Sequence, residues 1–316
     1  MGIFLLILRV IIISILFIIF SSSIKKDKQP PIELLFYQPL LKDQIEWNDS
    51  FKKINKCQIN KVILQWSRFG VVDFLKDDKW LIGILKNAQK YNIKIVIGLY
   101  GDDKYFKKLE DKRTNIKKYF EELKKINIFQ AQKAYSIAKN YSSFDGWYIY
   151  DEIDDTNFIE KNRQIYLKEY LQYISNKLEK ISPKPLYISS YFSNKTSPQK
   201  YVNMILETTQ NRYKILVQSG IGANLVSTQK SIEYMQEFSK KNNIEFIPIV
   251  ESFKFIDSEF RPIDFISLQK QIKQLQNSSK TDKIALFSLR YFFAKEILKE
   301  YQYYYNTPKS CTLLHF

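Results

Sequence analysis

Two glutamates, Glu152 and Glu251, each follow a run of hydrophobic residues, at positions 147–150 and 247–250. A carboxylate is costly to bury at such a place unless it has partners or a function. Glycoside hydrolysis needs two carboxyl groups across one bond, one as a general acid with a raised pKa and one as a nucleophile or base. The pair therefore predicts this chemistry, while an ion pair at a domain rim stays open as the alternative for either glutamate alone.

Few other residue types could carry catalysis. The only histidine is His315, so triads, zinc sites and general bases built on histidine are disfavoured. Cys57 and Cys311 show no ligand spacing, and no GxGxxG turn follows the first strand. We therefore predict no metal and no cofactor, and a reaction carried by carboxylate, lysine, tyrosine or serine side chains.

The elements that must position these glutamates alternate along the chain. Short β-branched and aromatic runs occupy residues 33–40, 61–69, 94–100, 146–153, 185–192, 213–219, 245–253 and 283–289. Amphipathic helical patterns occupy residues 78–91, 114–140, 160–181, 198–209, 227–242 and 263–276. Near-continuous apolar runs are typical of parallel strands buried on both faces. The alternation predicts an α/β fold with a single closed (β/α)8 TIM barrel.

In such barrels the active site lies at the C-terminal ends of the strands, where polar residues repeatedly end the apolar runs. Glu152 and Glu251 end strands four and seven, which lie on opposite sides of the barrel mouth. We predict substrate contacts from further strand-end residues, namely Tyr37, Gln38, Gln65, Trp66, Arg68, Asp102, Asp151, Tyr191 and Gln218. The Gly220-Ile221-Gly222 segment predicts a tight turn rather than a phosphate-binding loop.

The N-terminal segment differs from the rest of the chain. Residues 3–20 are apolar apart from Arg9 and Ser14, and serines and lysines follow them. We predict a signal peptide or membrane anchor at residues 1–30, the barrel at 31–303 and a C-terminal tail at 304–316. The chain is then periplasmic or extracellular, held at the inner membrane if the segment stays uncleaved. The lysines favour cytoplasmic retention instead, so orientation stays open.

The formal charge of +16 suggests nucleic-acid binding, but composition favours another explanation. Only seven of the 49 basic residues are arginine, the residue that pairs bidentately with guanine. We therefore predict that the protein has no nucleic-acid partner. The glutamate pair predicts a carbohydrate substrate, and we expect the protein to be a monomer. A basic surface can still attract an anionic polysaccharide or lipid head groups.

Seven segments within residues 36–253 carry a resemblance to a known family, and the resemblance covers the chain from Phe36 to about Phe292. They are FYQPLLKDQIEWNDSFKKI, ILQWSRFG, IGLYGDDKYF, FDGWYIYDEID, ISSYFS, ILVQSGIGA and PIVESF. Together they resemble a bacterial family of unknown function whose members are classed as TIM-barrel glycosyl hydrolases. The resemblance implies a barrel and a glycosidase activity without a settled substrate. From the glutamate pair we expect a retaining glycosidase that acts on a bacterial polysaccharide or envelope glycan.

A more distant similarity is to glycoside hydrolase clan A, which consists of retaining enzymes. It implies that Glu152 is the acid/base and Glu251 the nucleophile. The clan places asparagine before the acid/base, where this sequence has Asp151. A second carboxylate beside Glu152 would raise its proton affinity, yet it could not donate a hydrogen bond to a sugar hydroxyl as an amide does.

Two other classes of function stay open. A non-catalytic glycan-binding barrel, serving the assembly or transport of an exopolysaccharide, fits the Asp151 departure and the many aromatic residues. A membrane-tethered scaffold with a basic surface fits the charge and the N-terminal segment.

Overall fold

The computed structural model describes residues 29–223, 227–241, 245–294 and 296–306. Eight of its strands form a closed barrel. They are β1 (Ile32–Tyr37), β2 (Lys61–Leu64), β3 (Lys94–Gly98), β4 (Phe144–Asp154), β5 (Leu186–Tyr191), β6 (Lys214–Gln218), β7 (Phe246–Glu251) and β8 (Ile284–Phe287). Every neighbouring pair is parallel, and β8 closes onto β1. The predicted eight-stranded α/β barrel is confirmed.

Alternate residues of the strands fill the barrel interior, because successive side chains of a strand point to opposite faces. The interior cluster consists of Leu34, Phe36, Ile63, Val96, Tyr148, Tyr187, Leu216, Ile247, Ile249 and Ala285. Residues between them, such as Leu35, Trp147 and Val250, belong to the larger cluster that the strands share with the helices. This alternation decides which residues at the strand ends face the mouth and which face the helix layer.

The helices of this layer are α1 (Trp47–Lys56), α2 (Asp78–Lys90), α3 (Tyr105–Glu110), α4 (Ile116–Ala138), α5 (Lys161–Ile181), α6 (Pro198–Thr209), α7 (Thr228–Ser239), α8 (Phe265–Ser279), α9 (Leu289–Phe292) and α10 (Ile297–Asn306). The six predicted helices correspond to α2 and α4–α8. Ser197 and Ser227 cap α6 and α7 by accepting hydrogen bonds from backbone N–H groups, and Pro198 starts α6. The sequence patterns missed α1, α3, α9 and α10.

Two small sheets stand on the mouth of the barrel. Arg68–Phe69 pairs with Val72–Asp73 and with Tyr100–Gly101, so the predicted strands at 61–69 and 94–100 each break into two. Phe253–Ile256 pairs with Glu259–Pro262 in an antiparallel hairpin directly after β7. We call this second sheet the β7 hairpin.

The predicted terminal segments fall largely outside the described residues. Residues 1–28, which carry the predicted signal or anchor, are not described. No helix of the described ranges is both long and apolar enough to cross a bilayer. Helix α10 continues to Asn306, past the boundary predicted at residue 303, and residues 307–316 lie outside the description.

Candidate active site

Glu152 lies in a widened part of β4. Opposite β5, Ile149 pairs with Ile188 and Ile153 with Ser190, so Tyr150, Asp151 and Glu152 face a single residue, Ser189. Such bulges re-aim side chains and recur at the rims of barrels. Tyr148 and Tyr150 pack in the interior, so alternation directs Glu152 toward the mouth.

Tyrosines from the helix layer fix the backbone of this bulge. The Tyr105 hydroxyl donates to the carbonyl oxygen of Glu152 at 3.0 Å, and the Tyr201 hydroxyl donates to that of Ile153 at 2.6 Å. Both tyrosines are buried, at 1% exposure each. They give hydrogen-bond partners to two carbonyl groups of the widened strand.

The surroundings of Glu152 favour its protonated form. Burial raises the pKa of Glu152 to about 8, with further contributions from the charges of Asp154 and Glu251, and the Gln218 side chain opposes them. A carboxyl group with a pKa in this range carries a proton at neutral pH and can deliver it to a leaving group. Asp151 is not among the causes, so the expectation that this neighbour raises the proton affinity of Glu152 is corrected.

Glu251, at the end of β7, is enclosed by the turn after β6. Its Oε2 accepts a 2.5 Å hydrogen bond from the Gly222 backbone N–H and a 3.4 Å bond from the Ser219 hydroxyl. The residue is only 3% exposed. Burial raises the pKa of Glu251, and the hydrogen bonds from this turn oppose that rise by stabilising the carboxylate. The Gly220-Ile221-Gly222 segment is therefore a carboxylate-binding turn.

Two predicted site residues share the electrostatic environment of both glutamates. Gln218 at the end of β6 follows the interior residue Leu216 by two positions, and its side chain interacts with Glu152. Tyr191 ends β5, and its pKa is raised to about 12 by burial and by carboxylates that include Glu152 and Glu251. These residues bring strands four to seven together around one acidic centre.

Asp151 lies on the other side of the barrel wall. It is fully buried and accepts hydrogen bonds from the hydroxyl of Tyr170 on α5 and from the side-chain amide of Asn127 on α4, the latter at 3.3 Å. Burial raises its pKa to about 7. Because alternation points it away from the mouth, Asp151 cannot contact a substrate there, and its predicted role is corrected to that of a strand-to-helix anchor.

Asp102 and Tyr37 have partners within the protein, and the contact of either residue with a substrate stays a prediction. Asp102 is 3% exposed and accepts bonds of 2.6 Å from Lys108 and 2.7 Å from Tyr119, both on the helix side. Burial acts to raise the pKa of Asp102, but these donors outweigh it and the pKa is lowered. The ring of Tyr37 packs against Trp47 of α1, and its hydroxyl donates to Asp43 at 3.1 Å.

The remaining predicted contacts lie around β1, β2 and the small sheet. Trp66 stacks on Phe69, with ring centroids 4.4 Å apart, and its indole N–H donates to the Pro39 carbonyl. The Arg68 guanidinium lies over the Tyr100 ring at 5.4 Å. Gln65 follows the interior residue Ile63 by two positions, and Gln38 is partly exposed just past β1. Their contact with a substrate stays a prediction.

Sequence reasoning missed the residues that hold these strand ends in place. Asp155 accepts bonds from the backbone N–H groups of Ser193, Lys195 and Thr196, and so binds the loop after β5. The signal in the sequence is the acidic cluster 151–155, of which the strand-end pattern singles out only Asp151 and Glu152. No group of three metal-ligating side chains occurs among the described residues.

Comparison with known families identifies the chain. Residues 36–311 match the family described as Domain of unknown function (DUF4434). The chain belongs to this family. The match confirms the resemblance that the sequence segments carried, and it covers nearly all of the barrel. A relative of this chain in sequence is the uncharacterized protein YbcH of Escherichia coli K12, which is 25% identical over 207 residues, 64% of this chain and 69% of YbcH.

Solved structures share the fold of this DUF4434 barrel at low identity. A protein provisionally assigned as an α-L-fucosidase from Bacteroides thetaiotaomicron superposes with a TM-score of 0.70 and 18% identity, over 90% of this chain and 98% of that one. A GH18 chitinase from Pseudoalteromonas aurantia gives 0.54 and 14%, over 84% and 97%. An endo-β-1,4-mannanase from Thermotoga petrophila gives 0.55 and 9%, over 86% and 75%. At these identities the likeness establishes the fold alone.

Proposed function

We propose that this chain is a retaining glycoside hydrolase in which Glu152 is the acid/base and Glu251 the nucleophile. One observation carries the proposal: the two glutamates lie at the C-terminal ends of β4 and β7, which β5 and β6 separate, and the charge of Glu251 contributes to the raised pKa of Glu152. Two carboxyl groups with different proton affinities at one site are what glycoside cleavage requires. The glycosidases among the structural neighbours use the same fold.

The two environments support different roles for the glutamates. Glu152 has few hydrogen-bond donors around it and keeps its proton, so it can protonate the oxygen of the leaving group. Glu251 receives hydrogen bonds from the turn after β6, which favour the ionised form that a nucleophile needs. After the leaving group departs, Glu152 would take a proton from water as the covalent intermediate is hydrolysed.

A non-catalytic glycan-binding barrel is the second candidate. The observation that favours it is the 3% exposure of Glu251, because a nucleophile must reach the anomeric carbon of the sugar. In this alternative the turn around Glu251 is purely structural. A hydrophobic N-terminal segment agrees with glycans outside the cytoplasm in either case.

A panel of oligosaccharides separates the two candidates. The full chain is incubated with β-1,4-linked chitin, mannan and galactan hexasaccharides, and new reducing ends are followed by NMR. We expect cleavage with retention of anomeric configuration, because a nucleophile inverts the centre and water inverts it again. Binding without cleavage would favour the glycan-binding barrel, and an inverted product would make Glu251 a base.

The pH profile of hydrolysis follows from the two pKa shifts. Glu152 must be protonated, so kcat/KM should fall as pH rises through about 8. Glu251 must be ionised, so the acid limb should lie above the ordinary glutamate value of 4.5, since burial raises its pKa. The test is to measure kcat/KM as a function of pH, through both limbs of the profile, in wild type and in Glu152→Gln. A basic limb that survives unchanged in Glu152→Gln would contradict the assignment.

A further inference from the structure

The β7 hairpin, Phe253–Ile256 with Glu259–Pro262, begins two residues after Glu251. Its two strands are joined by Asp257 and Ser258, which both have positive φ values, of 50° and 64°. Phe253 pairs with Pro262 and Phe255 with Phe260. The position of this hairpin makes it the nearest part of the rim to the proposed nucleophile along the chain.

The pairing gives the hairpin two unlike faces. Directly opposed residues of antiparallel strands share a face, and neighbours along a strand alternate. One face consists of Phe253, Phe255, Phe260 and Pro262, and we call it the apolar face. The other face consists of Lys254, Ile256, Glu259 and Arg261. Only the first is wholly apolar.

The apolar face continues the packing of the barrel interior to the surface. The Phe253 ring is 7% exposed and lies 6.1 Å from Phe287, which ends β8, and 5.1 Å from Tyr291. Phe260 lies 5.0 Å from Phe253 and from Phe255. Phe260 and Phe255 are 51% and 38% exposed. A row of rings therefore runs outward from the mouth.

Hydrogen bonds hold this row in a fixed relation to Glu251. The Phe255 backbone N–H donates to the Gly222 carbonyl at 2.9 Å. The Gly222 N–H in turn donates to Glu251 Oε2. One residue of the turn thus joins the hairpin to the carboxylate, so a ligand on the apolar face would keep a constant distance from the reacting bond.

We propose that the apolar face is a sugar-binding subsite for a pyranose unit beyond the cleaved bond of an oligosaccharide. The inference rests on the proposed function. It adds that the substrate is an oligosaccharide long enough to reach from Glu251 to the apolar face. Equatorially linked pyranoses present flat faces of C–H groups, which pack on aromatic rings, and ligand sites are commonly lined by such rings. A stable protein partner would bury about 800 Å² on each side, more than two exposed phenylalanine rings offer.

Calorimetry on the full chain in detergent tests the subsite with the chitin, mannan and galactan hexasaccharides, and every protein compared, wild type included, carries Glu152→Gln so that the ligand is not cleaved during the titration. We expect Phe260→Ala and Phe255→Ala each to weaken binding of the hexasaccharide that wild type binds by about tenfold, because part of a ring's buried area is lost. Ile256→Ala is the matched control, since Ile256 is 39% exposed on the opposite face of the same hairpin. Its affinity should equal that of wild type.

Each outcome bears on one of the two proposals. The subsite would be overturned if all three variants bound the hexasaccharide with the same affinity. It would also be overturned if wild type bound none of the hexasaccharides. Selective weakening by the phenylalanine variants without any cleavage by wild type would keep the subsite and reject the hydrolase. Cleavage that persists with unchanged affinities would keep the hydrolase and reject the subsite.

Discussion

Replacing Glu152 with Gln is expected to lower kcat about a thousandfold on a natural glycan, because the leaving oxygen then departs without a proton. On a nitrophenyl glycoside kcat/KM should fall far less, because it reports formation of the covalent intermediate, in which nitrophenolate is a stable anion and leaves unprotonated. Glu251→Gln should abolish turnover of both substrates, because no covalent intermediate can form. Initial rates on the two substrates measure both effects.

The same strands supply matched controls for these substitutions. Asp145 lies near the start of β4 and pairs with Lys61 at 2.8 Å, while Glu245 precedes β7 and pairs with Lys214 at 2.6 Å. Asp145→Asn and Glu245→Gln remove a negative charge at the far end of the barrel and should leave kcat within about twofold of wild type. Full activity in Glu152→Gln and Glu251→Gln would reject the assignment of these two residues as the catalytic pair.

Gly222→Ala is expected to disturb both stability and the ionisation of Glu251. A Cβ atom at Gly222 would lie 2.4 Å from the Phe253 carbonyl oxygen and 2.8 Å from the Glu251 Cβ. The turn must move, so the N–H bond to Glu251 Oε2 weakens and a buried carboxylate loses a donor. We expect a loss of about 1–3 kcal/mol in the free energy of unfolding. The acid limb of the pH profile should also move to higher pH.

Urea unfolding and the pH profile measure these two effects of Gly222→Ala. Gly83→Ala in α2 is the control, because its Cβ would meet nothing within 4 Å. Replacing a partly exposed helical glycine should stabilise the protein by up to about 1 kcal/mol and leave the pH profile unchanged. If Gly222→Ala resembles Gly83→Ala in both measurements, the turn does not support Glu251.

The barrel and its glutamate pair could be predicted because both depend on local patterns. Eight apolar runs fix eight strands, and a polar residue after such a run marks a strand end. Alternation along β4 also implies that Asp151 and Glu152 point to opposite sides. Which of the two faces the mouth depends on which residues of β4 face the barrel interior. The sequence does not show this, and it does not show the widening of the strand after Ile149.

Long-range partners set the limit of prediction for the other site residues. Asp102 ends a strand as Glu152 does, but Lys108 and Tyr119 bind it on the helix side. Nothing local shows that pairing. The β7 hairpin, in contrast, did leave a signal: apolar residues alternate with polar ones from Phe253, and Asp257-Ser258 favours a turn. The predicted strand at 245–253 already includes Phe253, the first residue of the hairpin, so the pattern does not separate the two elements.

The chain enters the barrel at the end opposite its acidic centre. The Pro31 carbonyl accepts a hydrogen bond from the Ile284 N–H at the start of β8, while Glu152 and Glu251 lie where the strands finish. A bead, bilayer or fusion partner held directly at Gln29 would therefore lie at the end of the barrel opposite the mouth. Immobilised in this way, the protein would keep its open end toward insoluble material such as chitin particles, without the attachment obstructing their approach.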